Sequence, residues 1–269
     1  MSETDRVFTG SIPALYDRYL GPLIFAEYAA DLAQRVAVLT PGRVLETAAG
    51  TGIVTRSLVR VLSPGSKIVA TDLNQTMLDH AAARPGAERV AWRQVDAQRL
   101  PFEDGSFDAV LCQFGAMFFP DRGAAYREAR RVLRPGGHFL FNVWDRIEEN
   151  DFARVVAEAV AALFPDDPPR FLARTPHGYH DIVTIERELR SAGFSEIAVE
   201  TVSRRSRAPS PRDPAIGFCQ GTPLRNEIEA RATGRLAEVT EAAAAALEGC
   251  FGPGPIDGKI QAHIITAFR

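Results

Sequence analysis

The stretch Arg43-Val44-Leu45-Glu46-Thr47-Ala48-Ala49-Gly50-Thr51-Gly52 constrains this chain more than any other. A short apolar run ends in an acid, a loop of small residues follows, and a helical pattern starts at once. Glycines let backbone come close to a ligand, and the first turn of a helix offers N–H groups that no helix carbonyl takes up. A strand, a tight loop and a helix in that order form half of a parallel crossover, so the rest of the chain should supply matching strands.

It does. From residue 43 to about 145, short apolar runs alternate with helical patterns: Arg43–Glu46, Ile68–Asp72, Val90–Val95, Ala109–Phe114 and His138–Trp144. Between them, Val54, Leu58, Val61 and Leu62 recur at helical spacing, as do Ala125, Ala129, Val132 and Leu133, so each segment buries one face. Arg134-Pro135-Gly136-Gly137 stops the second helix and turns the chain into its strand. Beyond Trp144 the pattern loosens. Asp151 is placed to cap a helix over Phe152–Phe164, which Pro165, Pro168 and Pro169 end. A further helix through Ile182, Ile185 and Leu189 closes at Gly193, and a strand follows near Ile197–Val202. A long polar helix, Leu224–Leu247, has Gly234 as its candidate break and carries the plain helical run Ala242–Ala246. The last segment, Ile260–Phe268, alternates as a strand and suggests a closing hairpin at the sheet edge. Residues 1–40 are helical and rich in aromatics: Phe8, Tyr16, Tyr19, Phe25 and Tyr28.

Composition narrows the function. The 269 residues carry 31 Lys plus Arg against 34 acids, a formal net charge of -3, which argues against an obligate nucleic-acid binder. The three cysteines, Cys112, Cys219 and Cys250, form no CxxC pair, so neither a disulfide framework nor a cysteine-rich metal site is expected. No apolar run approaches the roughly 18–20 residues needed to span a bilayer, and a cytoplasmic location is expected. There is no GxSxG, HExxH or P-loop to support a hydrolase or an NTPase.

Two readings compete for the loop after Glu46. A dinucleotide fingerprint needs a third glycine, and Thr55 stands there. Glu46 would also repel a pyrophosphate, whereas a ligand with a cationic ammonium would welcome it. Asp72 ends the next strand, where an acid typically holds a ribose diol.

These residues resemble the class I S-adenosylmethionine (SAM) dependent methyltransferases, in the broad group that includes the ubiquinone/menaquinone biosynthesis methyltransferases. Glu46–Gly52 is similar to the family's loop around the methionine part of SAM, and Ala70-Thr71-Asp72-Leu73-Asn74 to its ribose-binding strand end. Val95-Asp96-Ala97, followed by Leu100–Asp108, resembles the adenine segment, in which the acid meets the amino group. Leu133–Gly137 matches the turn before the fifth strand. The likeness covers about residues 40–145, and it rests on the order and spacing of the motifs. Ala48 departs from it, standing where the family has its first loop glycine, which puts the loop's backbone in question because alanine at positive φ is costly. The resemblance places Tyr19, Glu46, Thr47, Ala48, Gly50, Asp72, Leu73, Met77, Asp96, Ala97, Gln113 and Phe114 at the cofactor.

Each of these has a plainer explanation. Glu46 and Asp72 could cap neighbouring helices, and an Asp such as Asp96 commonly opens a turn after a strand. Gln113, Phe114 and Phe118 follow the fourth strand, where core packing explains the aromatics equally well. Tyr16 and Tyr19 fit an ordinary amphipathic helix as well as a lid. His177 and His180 are candidates for a substrate-pocket base, against a solvated loop, and too few further ligands accompany them for a metal. Asp108 is read as a structural acid in the turn before the fourth strand, and Arg204-Arg205-Ser206-Arg207 as a solvated strand end.

The resemblance implies an α/β, Rossmann-like class I methyltransferase fold: a seven-stranded, mostly parallel sheet of order 3-2-1-4-5-7-6 with its last-numbered strand antiparallel. Helices would cover both faces, with a helical cover beside them. Residues 1–40 are expected as an N-terminal helical lid and 41–269 as the methyltransferase domain, with a cofactor-binding core at 41–145 and cover insertions at about 146–185 and 204–258. The expected activity is methyl transfer from SAM to a small-molecule acceptor, releasing S-adenosylhomocysteine (SAH), by proximity and orientation, with no metal, nucleic acid or membrane insertion. A homodimer is left open. The rivals are a catalytically silent SAM-binding or partner-binding protein of the same fold, an NAD(P)-dependent oxidoreductase, and, as a subclass, an RNA methyltransferase.

Overall fold

The computed structural model describes Asp5, Phe8 and residues 10–269. Helices α1 (Ile12–Leu15) and α2 (Ala26–Val38) flank a π-helical stretch, Tyr16–Phe25. Then come β1 (Arg43–Glu46), α3 (Ile53–Val61), β2 (Lys67–Asp72), α4 (Gln75–Ala82), β3 (Val90–Gln94), β4 (Phe107–Gln113), α5 (Arg122–Val132) and β5 (Leu133–Trp144). The remainder is α6 (Asp151–Ala162), α7 (Phe171–Arg174), α8 (Ile182–Ser191), β6 (Glu196–Ala208), α9 (Arg212–Gln220), α10 (Leu224–Arg231), α11 (Leu236–Phe251) and β7 (Ile256–Phe268). The seven strands make one sheet in the order β3-β2-β1-β4-β5-β7-β6, as expected. Pairs β1–β2, β1–β4, β2–β3 and β4–β5 are parallel. Against β5, β7 runs antiparallel: Gly136 N–H donates to Arg269 O, and further along Asp145 N–H donates to Gln261 O.

Two compact units emerge. The sheet unit comprises Ala26–Val143, His180–Val202 and Ala262–Arg269. On one face of its sheet, α2 and α3 contribute Leu32, Val36, Val54 and Leu58 to a core with Val44, Ile68, Leu111 and Leu140. The alternation of β5 sends Phe139 and Phe141 to the opposite face, where Phe139 stacks on Phe194 with centroids 5.8 Å apart and Phe141 meets Tyr126 at 5.4 Å. Each such side chain contributes about 1.5–3 kcal/mol by leaving water, enough to hold the strand ends in register. The N-terminal segment expected as a single lid is divided, because the apolar face of α2 packs on α3 in this unit.

The helical unit comprises the described residues up to Phe25, Trp144–Tyr179 and Ser203–Gln261. Its π-helical stretch contains Pro22, which has no N–H to give and whose ring crowds the carbonyl four residues back. A wider turn relieves that crowding. Tyr16 and Phe25 stack within it at 4.9 Å. Buried Asp5 accepts from Arg174 Nη2 at 2.6 Å and from Thr175 Oγ1 at 2.8 Å.

Local departures from expectation have local causes. Asp151 does not cap α6; Asn150 holds the N-cap position, and the Asp151 carboxylate accepts from Lys259 N at 2.6 Å. Arg134–Gly137 lies within β5, with a register shift opposite Phe107–Ala109 and Gly136 at φ +76°. The Leu224–Leu247 helix is interrupted around Gly234, giving α10 and α11. Asp108 lies inside β4, not before it, and accepts from Gly42 N and Arg43 N, both at 2.7 Å. Arg205 and Arg207 of β6 both pair with Asp257, while Ser206 between them is buried and donates to Leu23 O.

Candidate functional site

The register of the parallel strands brings three acids to neighbouring carboxyl ends. Glu46 ends β1 opposite Ala70 of β2 and Leu111 of β4, and Asp72 ends β2 opposite Gln94 of β3. Asp96 lies two residues beyond Gln94, and Val95 N–H is tied to Asp72 O at 2.9 Å. Ligands of open α/β sheets bind at this end of the strands.

The loop after β1 is built by backbone. Thr47 N donates to Leu111 O at 2.9 Å, Ala49 N to Thr71 O at 2.9 Å, and Gly50 N to Asp72 Oδ2 at 2.8 Å. Asn74 N donates to the other oxygen, Asp72 Oδ1, at 2.8 Å, so this carboxylate joins two loops. Gly52 sits at φ +77°, and a Cβ there would lie 3.0 Å from both Ala81 and Trp92, so a side chain would be both strained and crowded. Ala48 adopts φ +52° and so keeps the left-handed backbone that glycine would supply, at a cost of about 1–2 kcal/mol. Its methyl is accommodated by Gly115: a Cβ on Gly115 would lie 2.5 Å from that methyl and 2.7 Å from Cys112 Sγ.

Electrostatics separate the acids. Glu46 is 1% exposed, and Thr55 Oγ1 donates to its Oε2 at 2.5 Å. Burial pushes its carboxyl up to about 8, against the pull of the Thr55 bond; Asp72 adds to the rise and Arg56 opposes it. The Arg56 Nη1 group donates to Thr51 O at 2.6 Å. Asp72 is also raised by burial, which outweighs the hydrogen bonds from Asn74 and Gly50. The Cys112 thiol is pushed up to about 12 by burial and is therefore no nucleophile at neutral pH.

The remaining expected residues divide. Leu73 is an apolar side chain left 43% exposed directly after Asp72, and Met77 is buried in α4. Ala97 is buried, while Asp96 is exposed and held by Gln98. Phe114 sits at φ +49°, its N–H donating to Asn142 O at 3.1 Å and Oδ1 at 3.0 Å, and its ring packs edge-on against Tyr28 at 5.5 Å. Gln113 is buried beside Asn142, and Phe118 is half-buried in a short turn. Tyr19, under the Arg18 guanidinium at 5.1 Å, belongs to the helical unit. So does buried His177, whose Nδ1 lies 2.8 Å from Asp145 O. A carbonyl can only accept, so Nδ1 carries a proton. His180 falls in the sheet unit.

Sequence reasoning missed Thr55, Asn142, Gly115 and Gln98. A polar residue inside the apolar run His138–Trp144 was the available signal for Asn142, and a hydroxyl in the first turn of α3 was the one for Thr55. Nothing in sequence pointed to Gly115 or Gln98.

Comparison with known proteins gives a consistent result. Residues 45–141 match the family model of the methyltransferase domain. The ubiquinone/menaquinone biosynthesis C-methyltransferase UbiE of Pseudomonas aeruginosa is 28% identical over 179 residues, covering 62% of this chain and 70% of that protein. The same enzyme from Ectopseudomonas mendocina is 30% identical over 177 residues, covering 61% of this chain and 69% of that protein. Among solved structures, a phosphoethanolamine N-methyltransferase 2 of Haemonchus contortus, in complex with phosphomonomethylethanolamine and S-adenosylhomocysteine, superposes with a TM-score of 0.61. It is 18% identical, covering 98% of this chain and 59% of that one, and shows the shared fold.

Proposed function

The chain belongs to the SAM-dependent methyltransferases, and from that premise we propose that it methylates a small-molecule acceptor with the cofactor held at the ends of β1, β2 and β3. The observation that carries the placement is the row of three acids, Glu46, Asp72 and Asp96, at adjacent strand ends. The donor set fits SAM. A buried carboxyl raised by desolvation is relieved by an ammonium group, a strand-end carboxylate suits a ribose diol, and the exposed Leu73 side chain offers an apolar face to a base.

When bound, SAM supplies a methyl group already activated on a sulfonium. Glu46, steadied by Thr55, meets the ammonium; Asp72, held by Gly50 and Asn74, takes the ribose hydroxyls; Asp96 takes the adenine amino group. The Ala48–Gly115 contact keeps the loop in its left-handed turn, and Asn142 holds the backbone of Phe114 after β4. Rate enhancement then comes from orientation, and no protein nucleophile is needed.

Acceptor choice is assigned to the helical unit, which lies wholly outside the family match at 45–141. Within it, His177, its Nδ1 held by Asp145 O, is the candidate to take a proton from an acceptor. A cytoplasmic location is part of the same reading, supported by three cysteines that are all free thiols.

Calorimetric titration with SAM and SAH, using NADH and NADPH as controls, tests the cofactor site. Selective binding of the first two is expected, and selective nicotinamide binding would overturn the reading. Screening phenols, amines and quinone precursors for SAH release then identifies the acceptor. Tight SAM binding with no turnover of any of them would point to the silent rival.

A further inference from the structure

Asp96 is an exposed acid on a loop, and left alone its carboxylate would sample several rotamers. It is held in one. Gln98 N donates to Asp96 Oδ1 at 2.9 Å, and Gln98 Nε2 lies 3.0 Å from Oδ1 and 3.1 Å from Oδ2. The other end of the same amide is anchored, because Asp121 N–H donates to Gln98 Oε1 at 2.8 Å. Asp121 is itself fixed as the N-cap of α5, its Oδ1 accepting from Ala124 N at 2.8 Å. A rigid helix start therefore sets the amide plane, and the amide plane sets the carboxylate.

The far side of the loop is pinned by the same helix. Glu128 accepts from Leu100 N at 2.7 Å, and Arg131 donates to Leu100 O at 2.9 Å and to Phe102 O at 2.7 Å. The segment 96–102 is thus splinted along the length of α5, with Gln98, among the described residues, as the one side chain that reaches the acid itself.

We propose that Gln98 is a positioning residue for adenine recognition, orienting Asp96 through an amide anchored on the start of α5. The proposal rests on the assignment of Asp96 to the adenine amino group. A carboxylate has about four lone-pair sites. Gln98 makes two contacts on Oδ1 and one on Oδ2, so among the described residues Oδ2 keeps an accepting direction, suited to one N–H of an exocyclic amine. Orienting an acceptor before the ligand arrives avoids the ordering cost at binding and sharpens discrimination against a base that presents a carbonyl instead.

The test compares calorimetric affinities for SAH and S-inosylhomocysteine, which carries a 6-oxo group in place of the amine. Their ratio is measured in the wild type and in Asp96→Ala, Gln98→Ala and Gln98→Glu. Wild type should favour SAH by about tenfold or more, the scale of one charge-assisted hydrogen bond, and Asp96→Ala should bring the ratio near unity. Gln98→Ala should lower the ratio several-fold while the melting temperature stays close to wild type. Gln98→Glu keeps an acceptor for Asp121 N–H but sets a carboxylate against Asp96, so it should lower the ratio at least as far. A purely structural role for Gln98 would weaken both ligands together and leave the ratio intact in both variants, which would overturn the positioning role alone. A wild-type ratio near unity, or a ratio unchanged in Asp96→Ala, would overturn the adenine assignment and the proposal with it.

Discussion

The sheet unit and the helical unit hold polar groups in different ways. In the sheet unit, the acids of the candidate site are held by partners close in sequence or on the next strand: Thr55 for Glu46, Gly50 and Asn74 for Asp72, Gln98 for Asp96. In the helical unit, Asp5 pairs with Arg174 and Thr175, Ser206 with Leu23 O, and Arg225 with Ser11, all far apart along the chain. The acids of the sheet unit stand within recognisable motifs even where their partners do not, whereas distant pairings leave no motif at all. The part of the molecule proposed to hold the cofactor is therefore legible, and the part to which acceptor choice is assigned is not.

The largest test of that contrast is the proton on Glu46. Its folded value of about 8 lies above the ordinary carboxylate value, so between the two the native state binds the extra proton. The stability associated with this group is fully present below about pH 4.5 and is lost as pH rises through about 8, by several kcal/mol at about 1.4 kcal/mol per pKa unit. Urea titrations at pH 5, 7 and 9 should show that loss, and Glu46→Gln should flatten it. An ammonium group beside Glu46 expels the proton, so SAM titrations at pH 7 in buffers of different ionisation enthalpy should report release of close to one proton. Heats that do not depend on the buffer would remove Glu46 from the cofactor site.

Next in size is the Ala48–Gly115 contact. Gly115→Ala places a methyl against two neighbours that cannot move without disturbing the loop, and should cost about 1–3 kcal/mol of stability. Adding Ala48→Gly should restore part of it, whereas strictly additive effects in the double variant would refute a direct contact. Asp72→Ala should weaken SAM binding by roughly 1.5–3 kcal/mol, because it removes both a charged acceptor and the tie between two loops. Unaltered affinity would exclude Asp72 from the ribose. The smallest effect is expected in the helical unit, where Thr175→Val should cost about 0.5–1.5 kcal/mol of stability by leaving Asp5 one donor short. SAM affinity should stay at the wild-type value there, and a large loss would break the division of labour between the units.

Much of the fold could be read in advance for the same reason. Arg43–Glu46 is the first strand residue for residue, and the order of the seven strands, with the antiparallel seventh, follows the family resemblance. Gly234 does separate two helices. The failures are also instructive. Asp151 has the right residue type for a cap, yet a backbone N–H from β7 takes its carboxylate. The N-terminal segment is helical as expected, although spacing alone does not show that Tyr16–Phe25 is π-helical.

Sequence by itself determined the strands, the small-residue loop and the three acids at the strand ends, because apolar periodicity and turn chemistry act over a few residues. It could not determine the protonation of Glu46, the fit of Ala48 against Gly115 or the orientation of Asp96 by Gln98. Those depend on burial, close approach and fixed hydrogen-bond direction, which arise only when distant segments of the chain are packed together.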